Sequence, residues 1–333
     1  MERATGFVGQ SPAFLDAVER ASRAAALNRP VLVIGERGTG KELVAERLHR
    51  LSQRWDGPLV TMNCAALTET LIEAELFGHE AGAFTGATRA RQGRFEEADG
   101  GTLFLDELAT LSAAAQERLL RAVEYGEVTR IGANHPVRVD VRIVAATNEH
   151  LPGLVDKGRF RADLLDRLSF EVITLPPLRV REGDILVLAE HFGRRMAAEL
   201  EWEAWPGFTR EALAALEGYD WPGNVRELRN TVERAVYRTN QPQKPVGDVD
   251  FDPFASPWLP VVIEQDVAKP EAERPYLAEV QIPGDFKAAM DAHERSLLEA
   301  ALNRHRFNQR STAKAIGLTY DQLRHAMKKH GLF

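Results

Sequence analysis

Pro30-Val31-Leu32-Val33-Ile34-Gly35-Glu36-Arg37-Gly38-Thr39-Gly40-Lys41 runs from an unbroken apolar stretch straight into a glycine-rich loop. A continuous run of branched apolar residues is what a parallel strand buried on both faces requires. The loop fits the pattern G-x-x-x-x-G-K. In that pattern successive backbone N–H groups wrap anionic phosphates, and the following helix turns its positive end toward them. Gly35, Glu36, Arg37, Gly38, Thr39, Gly40, Lys41 and Glu42 form the expected cradle for ATP, with Lys41 reaching the β and γ phosphates. The pattern usually continues with Ser or Thr to hold Mg2+. Glu42 stands there instead, which leaves the metal ligands open.

Outward from this loop, strands alternate with helical patterns. A helix follows over about residues 42–51, and the first helix of the chain starts at Ser11-Pro12, with Ser as N-cap and Pro at the first helical position. Residues 58–63, 102–105, 141–146 and 171–175 read as further strands, with a helix over 112–125 among the connections. Such alternation implies a parallel sheet in an α/β domain. Beyond Pro176-Pro177 the strands stop, and residues 184–202 and 209–239 read as helices of a small lid. Residues 240–284 hold eight of the 17 prolines and read as a linker. The expected organisation is an α/β ATPase subdomain over 1–176, a helical lid over 177–240, a Pro-rich linker over 241–284 and a helical DNA-binding domain over 285–333.

Bulk properties agree with a globular chain. Of 333 residues, 44% are hydrophobic and 27% charged, both ordinary values. No apolar run approaches the roughly 20 residues that span a bilayer, and the N-terminus carries no apolar signal segment. Cys64 is the only cysteine, so no internal disulfide forms, and it reads as a packing residue. A cytoplasmic location is the expectation. Residues 290–333 hold eight Lys/Arg against four Asp/Glu, a net +4, which leaves −11 on the rest of a chain whose total is −7. An acidic body with a basic tail places nucleic-acid contact in the tail.

Several stretches carry chemistry. Leu103-Phe104-Leu105-Asp106-Glu107 is a Walker B pattern, an apolar strand ending in two carboxylates. Asp106 is the expected Mg2+ ligand and Glu107 the group that polarises the attacking water. Asn148 closes the strand 141–146 as a polar residue. Gly82-Ala83-Phe84-Thr85-Gly86-Ala87 pairs glycines at both ends of a loop with a ring and a hydroxyl between them. A ring at a loop tip adds little to its own core and suits contact with another protein. The segment from Arg310 to Lys329 reads as helix, glycine turn, helix. Ala313, Ile316, Leu318, Leu323 and Met327 supply its packed face, while Thr319, Tyr320, Gln322, Arg324, His325 and Lys328 line the open one. Polar side chains for base edges and cations for phosphates are helix-turn-helix chemistry. A lone module contacts few base pairs, so a dimer is expected, with the helix from Phe286 to Leu302 available to form it.

GAFTGA at 82–87 resembles the signature of bacterial enhancer-binding proteins, the AAA+ ATPases that activate sigma-54 RNA polymerase. The resemblance covers about residues 6–240 and 286–333, with motifs in the family's order, and GTGKE at 38–42 is the family's own form of the loop. It implies an AAA+ P-loop domain, a helical lid and a Fis-type helix-turn-helix. It implies that the 82–87 loop contacts the sigma factor, and that double-stranded enhancer DNA binds the tail. Asn148 would be sensor I, and Asn63 would hold Glu107 in an unreactive pose. Arg226, in Trp221-Pro222-Gly223-Asn224-Val225-Arg226-Glu227-Leu228, would be sensor II. Val8, in Gly6-Phe7-Val8-Gly9, would flank the adenine through its backbone. Arg161 and Arg167 would enter a neighbouring subunit's ATP site within a hexameric ring. The ATPase motifs begin almost at Met1, an arrangement similar to the phage-shock (envelope stress) activators, which are restrained by a separate inhibitor, phage shock protein A. Trp55, in a predicted surface turn, is the candidate docking point for it, or else a ring folded over its own domain. The competing readings are a DNA-binding repressor and an AAA+ remodeller with another client.

Overall fold

The computed structural model describes residues 7–66, 68–84, 86–239, 241–254, 286–304 and 309–332. The chain divides into two compact units, Met1–Ala255 and Ser256–Phe333. Among the described residues the first unit holds seven strands: β1 (Val31–Ile34), β2 (Leu59–Asn63), β3 (Thr102–Asp106), β4 (Glu127–Val128), β5 (Val137–Arg138), β6 (Arg142–Thr147) and β7 (Glu171–Thr174). Its helices are α1 (Pro12–Ala25), α2 (Lys41–Arg50), α3 (Glu69–Phe77), α4 (Arg94–Glu97), α5 (Ala113–Tyr125), α6 (Leu151–Asp156), α7 (Ala162–Leu168), α8 (Asp184–Glu199), α9 (Arg210–Gly218) and α10 (Asn224–Arg238).

The five expected strands form one parallel sheet in the order β2-β3-β6-β1-β7, and β4 and β5 make a separate antiparallel hairpin that no apolar run announces. Successive side chains of a strand point to opposite faces. Leu32, Leu103, Leu105, Ile143 and Ala145 therefore join one core, with Leu76, Phe77, Leu119 and Leu164 from helices on that side. Val31, Val33, Phe104, Val144, Ala146 and Ile173 join the other, with Ala17, Ala21, Val44 and Leu48 from α1 and α2. Both faces are covered, which explains the continuous apolar runs. At the opposite end from the loops, the buried Arg142 guanidinium donates to the carbonyls of Ala24 and Ala25 at the end of α1, and burial pushes its pKa down to about 10. Ser11 is the N-cap of α1, but its hydroxyl donates to Asp184 rather than serving the helix.

Helices α8, α9 and α10 form the lid around the fully buried Trp221, whose Nε1 donates to Leu216 O at 2.9 Å. The lid does not end at 240. Val246 is buried in its core, its N–H donates to Gly207 O, and its carbonyl accepts from Thr209 N. Phe251 stacks on Tyr219 at 4.6 Å. Prolines 242, 245 and 253 flank an extended segment that a lid edge holds, so the linker cannot start at 241. The rest of the expected linker, 255–284, lies outside the described residues.

The second unit consists of α11 (Phe286–Arg304), α12 (Gln309–Ala315) and α13 (Tyr320–His330) around Leu298, Leu302, Ala313, Leu323 and Met327. Gly317 makes the turn at φ +72°. Ile316, expected on the packed face, is 39% exposed, because it falls in the turn after α12. Leu298 and Leu302 of α11 face this core, while Leu297 is exposed. Among the described residues no helix is long and apolar enough to cross a membrane.

Candidate functional site

Parallel strands bring their C-terminal ends to one edge of the sheet, where α/β proteins bind ligands. There the loop Gly35–Lys41 follows β1, and Asn63 and Asp106 close β2 and β3 as register partners. A cleft of about 680 Å³ opens between this edge and the lid. Gly38 to Glu42, Asn63, Asp106 and Glu107 form one wall, and Val225, Arg226 and Arg229 of α10 another. Phe7, Val8, Phe14, Leu188 and Phe192 give the cleft an apolar end, suited to a flat base.

The cradle is preformed. Gly38 and Gly40 take φ +78° and +99°, left-handed values that glycine adopts at little cost. Lys41 is buried, and its Nζ donates to Gly35 O at 2.9 Å and to Glu36 O at 3.3 Å. Burial pushes its pKa down, and Asp106 and Glu107 oppose this. A cation so held faces two carboxylates across a space that a phosphate chain and a divalent cation can share. Asp106 Oδ1 accepts from Glu107 N at 3.0 Å. Glu107 sits at φ +54°, an unusual conformation for a non-glycine residue and one concentrated at functional sites.

Three expectations at this edge change. Asn63 does not hold Glu107: its Oδ1 accepts from Ala65 N at 2.8 Å, and the ionic neighbour of Glu107 is Arg37 at 3.7 Å. Glu36 and Gly35 do not line the cleft, and the Glu36 carboxylate is turned to Arg179 (2.6 and 2.9 Å) and Asn224 (3.0 Å). Those two partners hold its pKa near 2. Asn148 lies just beyond β6, exposed and outside the cleft lining. Thr147, the residue before it, supplies the carbonyl that accepts from Gly35 N. Burial pushes the Cys64 thiol up to about 12, so it is not a nucleophile.

Arg161 and Arg167 lie away from this cleft at the surface. Arg161 pairs with Asp163 at 2.7 Å and Arg167 with Glu124 at 2.5 Å. The 82–87 loop projects from the segment between α3 and α4. Gly82 and Gly86 have φ +80° and +101°, with open space where a Cβ would stand. Gly82 N donates to Ala87 O at 2.7 Å, closing the loop. Its base is rigid: Arg130 donates to Glu80 and Glu96 at 3.0 and 2.6 Å. Phe84, expected to stand free, is half-buried, edge-on to the His79 ring at 5.0 Å. Thr85 lies outside the described residues. Trp55 is 68% exposed in its turn, which Arg54 anchors through Asp140 and Asn28, so it is not folded over its own domain.

In the second unit Tyr320, Arg324, His325 and Lys328 are exposed on α13 as expected. Thr319 and Gln322 are exposed too but already occupied. The Thr319 hydroxyl accepts from Gln322 N, and Gln322 Oε1 accepts from Thr319 N, a capping box.

Comparison with known proteins bears on this arrangement. The Sigma-54 interaction domain family matches residues 7–174, the AAA+ ATPase lid domain residues 179–250, and the Fis family of bacterial regulatory proteins residues 289–330. The chain belongs to the sigma-54-dependent activators. It is 49% identical over 325 residues to the Psp operon transcriptional activator of Escherichia coli, covering 97% of each chain. It is 45% identical over 314 residues to the transcriptional regulatory protein ZraR of Salmonella typhimurium, covering 94% of this chain and 66% of that one. The crystal structure of NtrX from Brucella abortus in complex with ATP aligns with TM-score 0.69 at 32% identity, over 98% of this chain and 70% of that one. The fold is thus an AAA+ P-loop domain with its lid and a Fis-type helix-turn-helix. The match of the lid family to residue 250 agrees with the packing of Val246 and Val249 in the lid core.

Sequence reasoning missed Asn224, Arg179 and Arg229. Asn224 stands in the stretch Trp221-Pro222-Gly223-Asn224, where a polar residue at the start of a helix inside an apolar motif is its signal. Nothing local marks the other two.

Proposed function

We propose that this activator hydrolyses ATP in the cleft between sheet and lid and uses the energy to open sigma-54 promoter complexes. The observation that carries the reading is the convergence of Lys41, Asp106 and Glu107 on one cleft faced by Arg226. The donor set fits Mg2+, a hard cation that takes carboxylate oxygens and phosphate oxygens. Asp106 would hold it, with Glu42 at the cleft wall as a further carboxylate, and the ion would neutralise charge on the β and γ phosphates. Lys41 binds the phosphates. Glu107 leaves Arg37, orients water in line with the γ phosphate and takes its proton. Val8 and the apolar end hold adenine, and Arg226 reports the nucleotide to the lid. The ATP complex of NtrX supports this use of the cleft.

Arg161 and Arg167 act in a neighbouring subunit's site. A head-to-tail contact closes into a ring, here a hexamer, once each arginine exchanges its own carboxylate for the neighbour's phosphoryl group. The loop Gly82, Ala83, Phe84, Thr85, Gly86 and Ala87 engages sigma-54 after Phe84 leaves His79. Arg324, His325, Lys328 and Tyr320 contact enhancer DNA. The protein works in the cytoplasm, in the envelope-stress response. Trp55, exposed on an anchored turn, docks an inhibitor equivalent to phage shock protein A, a reading supported by the likeness to the Psp activator.

The test is open-complex formation by purified protein on a sigma-54 promoter. Open complexes are expected with ATP and not with a non-hydrolysable analogue. ATP hydrolysis without open complexes would transfer the reading to a remodeller with another client, and DNA binding alone to a repressor.

A further inference from the structure

Asn224 opens α10 at φ +54° and is fully buried. Its side chain joins three segments. Oδ1 accepts from Leu178 N at 2.8 Å, in the turn after β7. Nδ2 donates to Glu36 Oε2 and to Arg37 O, each at 3.0 Å, in the phosphate loop. Arg179, next to Leu178, closes the circuit with two hydrogen bonds to the same Glu36 carboxylate. The two backbones also touch: a Cβ on Gly38 would lie 2.3 Å from Gly223 O and 3.1 Å from Arg226 Cβ. The phosphate loop, the turn after β7 and the first turn of α10 are therefore one hydrogen-bonded body, and Arg226 stands two residues along from its centre.

We propose that Asn224 is a positioning residue that locks the lid to the phosphate loop, so that Glu36 serves as a latch for Arg226 and not as a nucleotide ligand. Resting on the ATPase reading above, this adds a route from ligand to lid. A loop that shifts around a γ phosphate drags Arg37 O and Glu36 with it. Their shared donor, Asn224, carries the start of α10 and hence Arg226 along. Side chains bound into one network act together, and the signature is non-additivity.

The experiment measures ATP and ADP affinity by titration calorimetry, turnover and Tm on the full chain. The proteins are wild type, Asn224→Ala, Arg226→Ala and the double variant. Each single change is expected to weaken ATP binding about tenfold, the loss of roughly one to two good hydrogen bonds. The double variant is expected to be no weaker than the worse single one, and ADP to be affected less than ATP. Should Asn224→Ala fail to fold, an exchange replaces it. Asn224→Asp sets two carboxylates against each other and gives up the donor to Arg37 O, and adding Glu36→Gln restores the bond to residue 36 alone, with donor and acceptor swapped. ATP affinity is expected to recover at least threefold in the exchange variant. Single effects that multiply, an unchanged affinity in folded Asn224→Ala, or no recovery in the exchange each overturn the latch. A wild type that binds no ATP overturns the ATPase reading itself.

Discussion

Asp184→Asn tests whether the cleft depends on a single buried ion pair. Arg181 and Asp184 are both buried, with Nε 2.7 Å from Oδ2. The carboxylate also accepts from Gln10 N at 2.6 Å, Ser11 N at 2.9 Å and the Ser11 hydroxyl at 3.0 Å. The guanidinium lies 3.9 Å from the centroid of the Phe14 ring. The amide keeps the shape and one acceptor but leaves the Arg181 charge unpaired. Removing one partner of a buried pair costs about 3–5 kcal/mol, and the retained acceptor argues for the lower end, about 3 kcal/mol. For a unit of this size, Tm moves about 2–4 °C per kcal/mol, so a fall of about 6–12 °C is expected by calorimetry at pH 7. Burial alone would raise the Asp184 pKa. The Gln10 amide, Arg181 and the Ser11 amide outweigh it and hold the group below its usual range. A depressed carboxyl contributes its stability above the unfolded value of about 3.9 and loses it as pH falls through the folded one. The gap between wild type and variant therefore stays constant from pH 7 to pH 5 and narrows only in more acid solution. A shift under about 2 °C at pH 7, or a gap already closing by pH 5, would refute the assignment of that stability to the pair. Nucleotide affinity should fall as well, because Phe7 and Val8 reach the cleft from the segment this pair anchors.

Other expectations follow from single contacts. Lys41→Ala should abolish ATP binding, whereas Glu107→Gln should bind ATP and lose turnover by about 10²-fold or more; normal hydrolysis by Glu107→Gln removes it from its role. Arg167→Ala gives up only a surface pair, worth about 0–1 kcal/mol. Its Tm should hold while turnover fails, with partial recovery on mixing with Glu107→Gln; a stable, fully active Arg167→Ala would place catalysis within one subunit. Thr85→Ala should hydrolyse ATP yet open no promoters, and normal opening would exclude this loop as the sigma contact. Lys328→Ala should weaken enhancer binding and reduce the salt slope by about one, as a phosphate contact does; an unchanged slope means that it does not face DNA.

The parts of the fold that were legible share one property: their cause is local. Val31–Ile34 is a buried strand because its own residues are apolar, and Gly38 and Gly40 carry left-handed angles that their own identity permits. Ala113–Tyr125 is readable as a helix to within a residue, and the structure adds its cap, Ser112 accepting from Ala115 N. What stayed hidden was the choice of partner among polar groups. Glu36 occupies a free position of the loop pattern, and only the approach of Arg179 and Asn224, far along the chain, turns its carboxylate from the phosphates. Thr319 and Gln322 were readable as polar and exposed, but each satisfies the other's backbone before any base edge is offered. The proline count misled at 242–253 because prolines forbid helix and central strand, not an extended segment laid on the lid.

Gly38 shows how the two kinds of cause meet. Its φ of +78° favours glycine whatever surrounds it. The lid makes a separate demand, since Gly223 O stands where a methyl group would go. One residue therefore satisfies a rule written in the loop and a contact written in the lid 185 positions later, and only the first is visible in the chain. The same holds for the 82–87 loop. Its glycines permit many backbone angles, while Phe84 packs against His79 on a base where Arg130, from the hairpin connection, pairs with Glu80 and Glu96. On the proposal that this loop meets sigma-54, a fixed base is what would carry a small shift near bound nucleotide out to that contact. That base is held by long-range pairs that no local motif encodes.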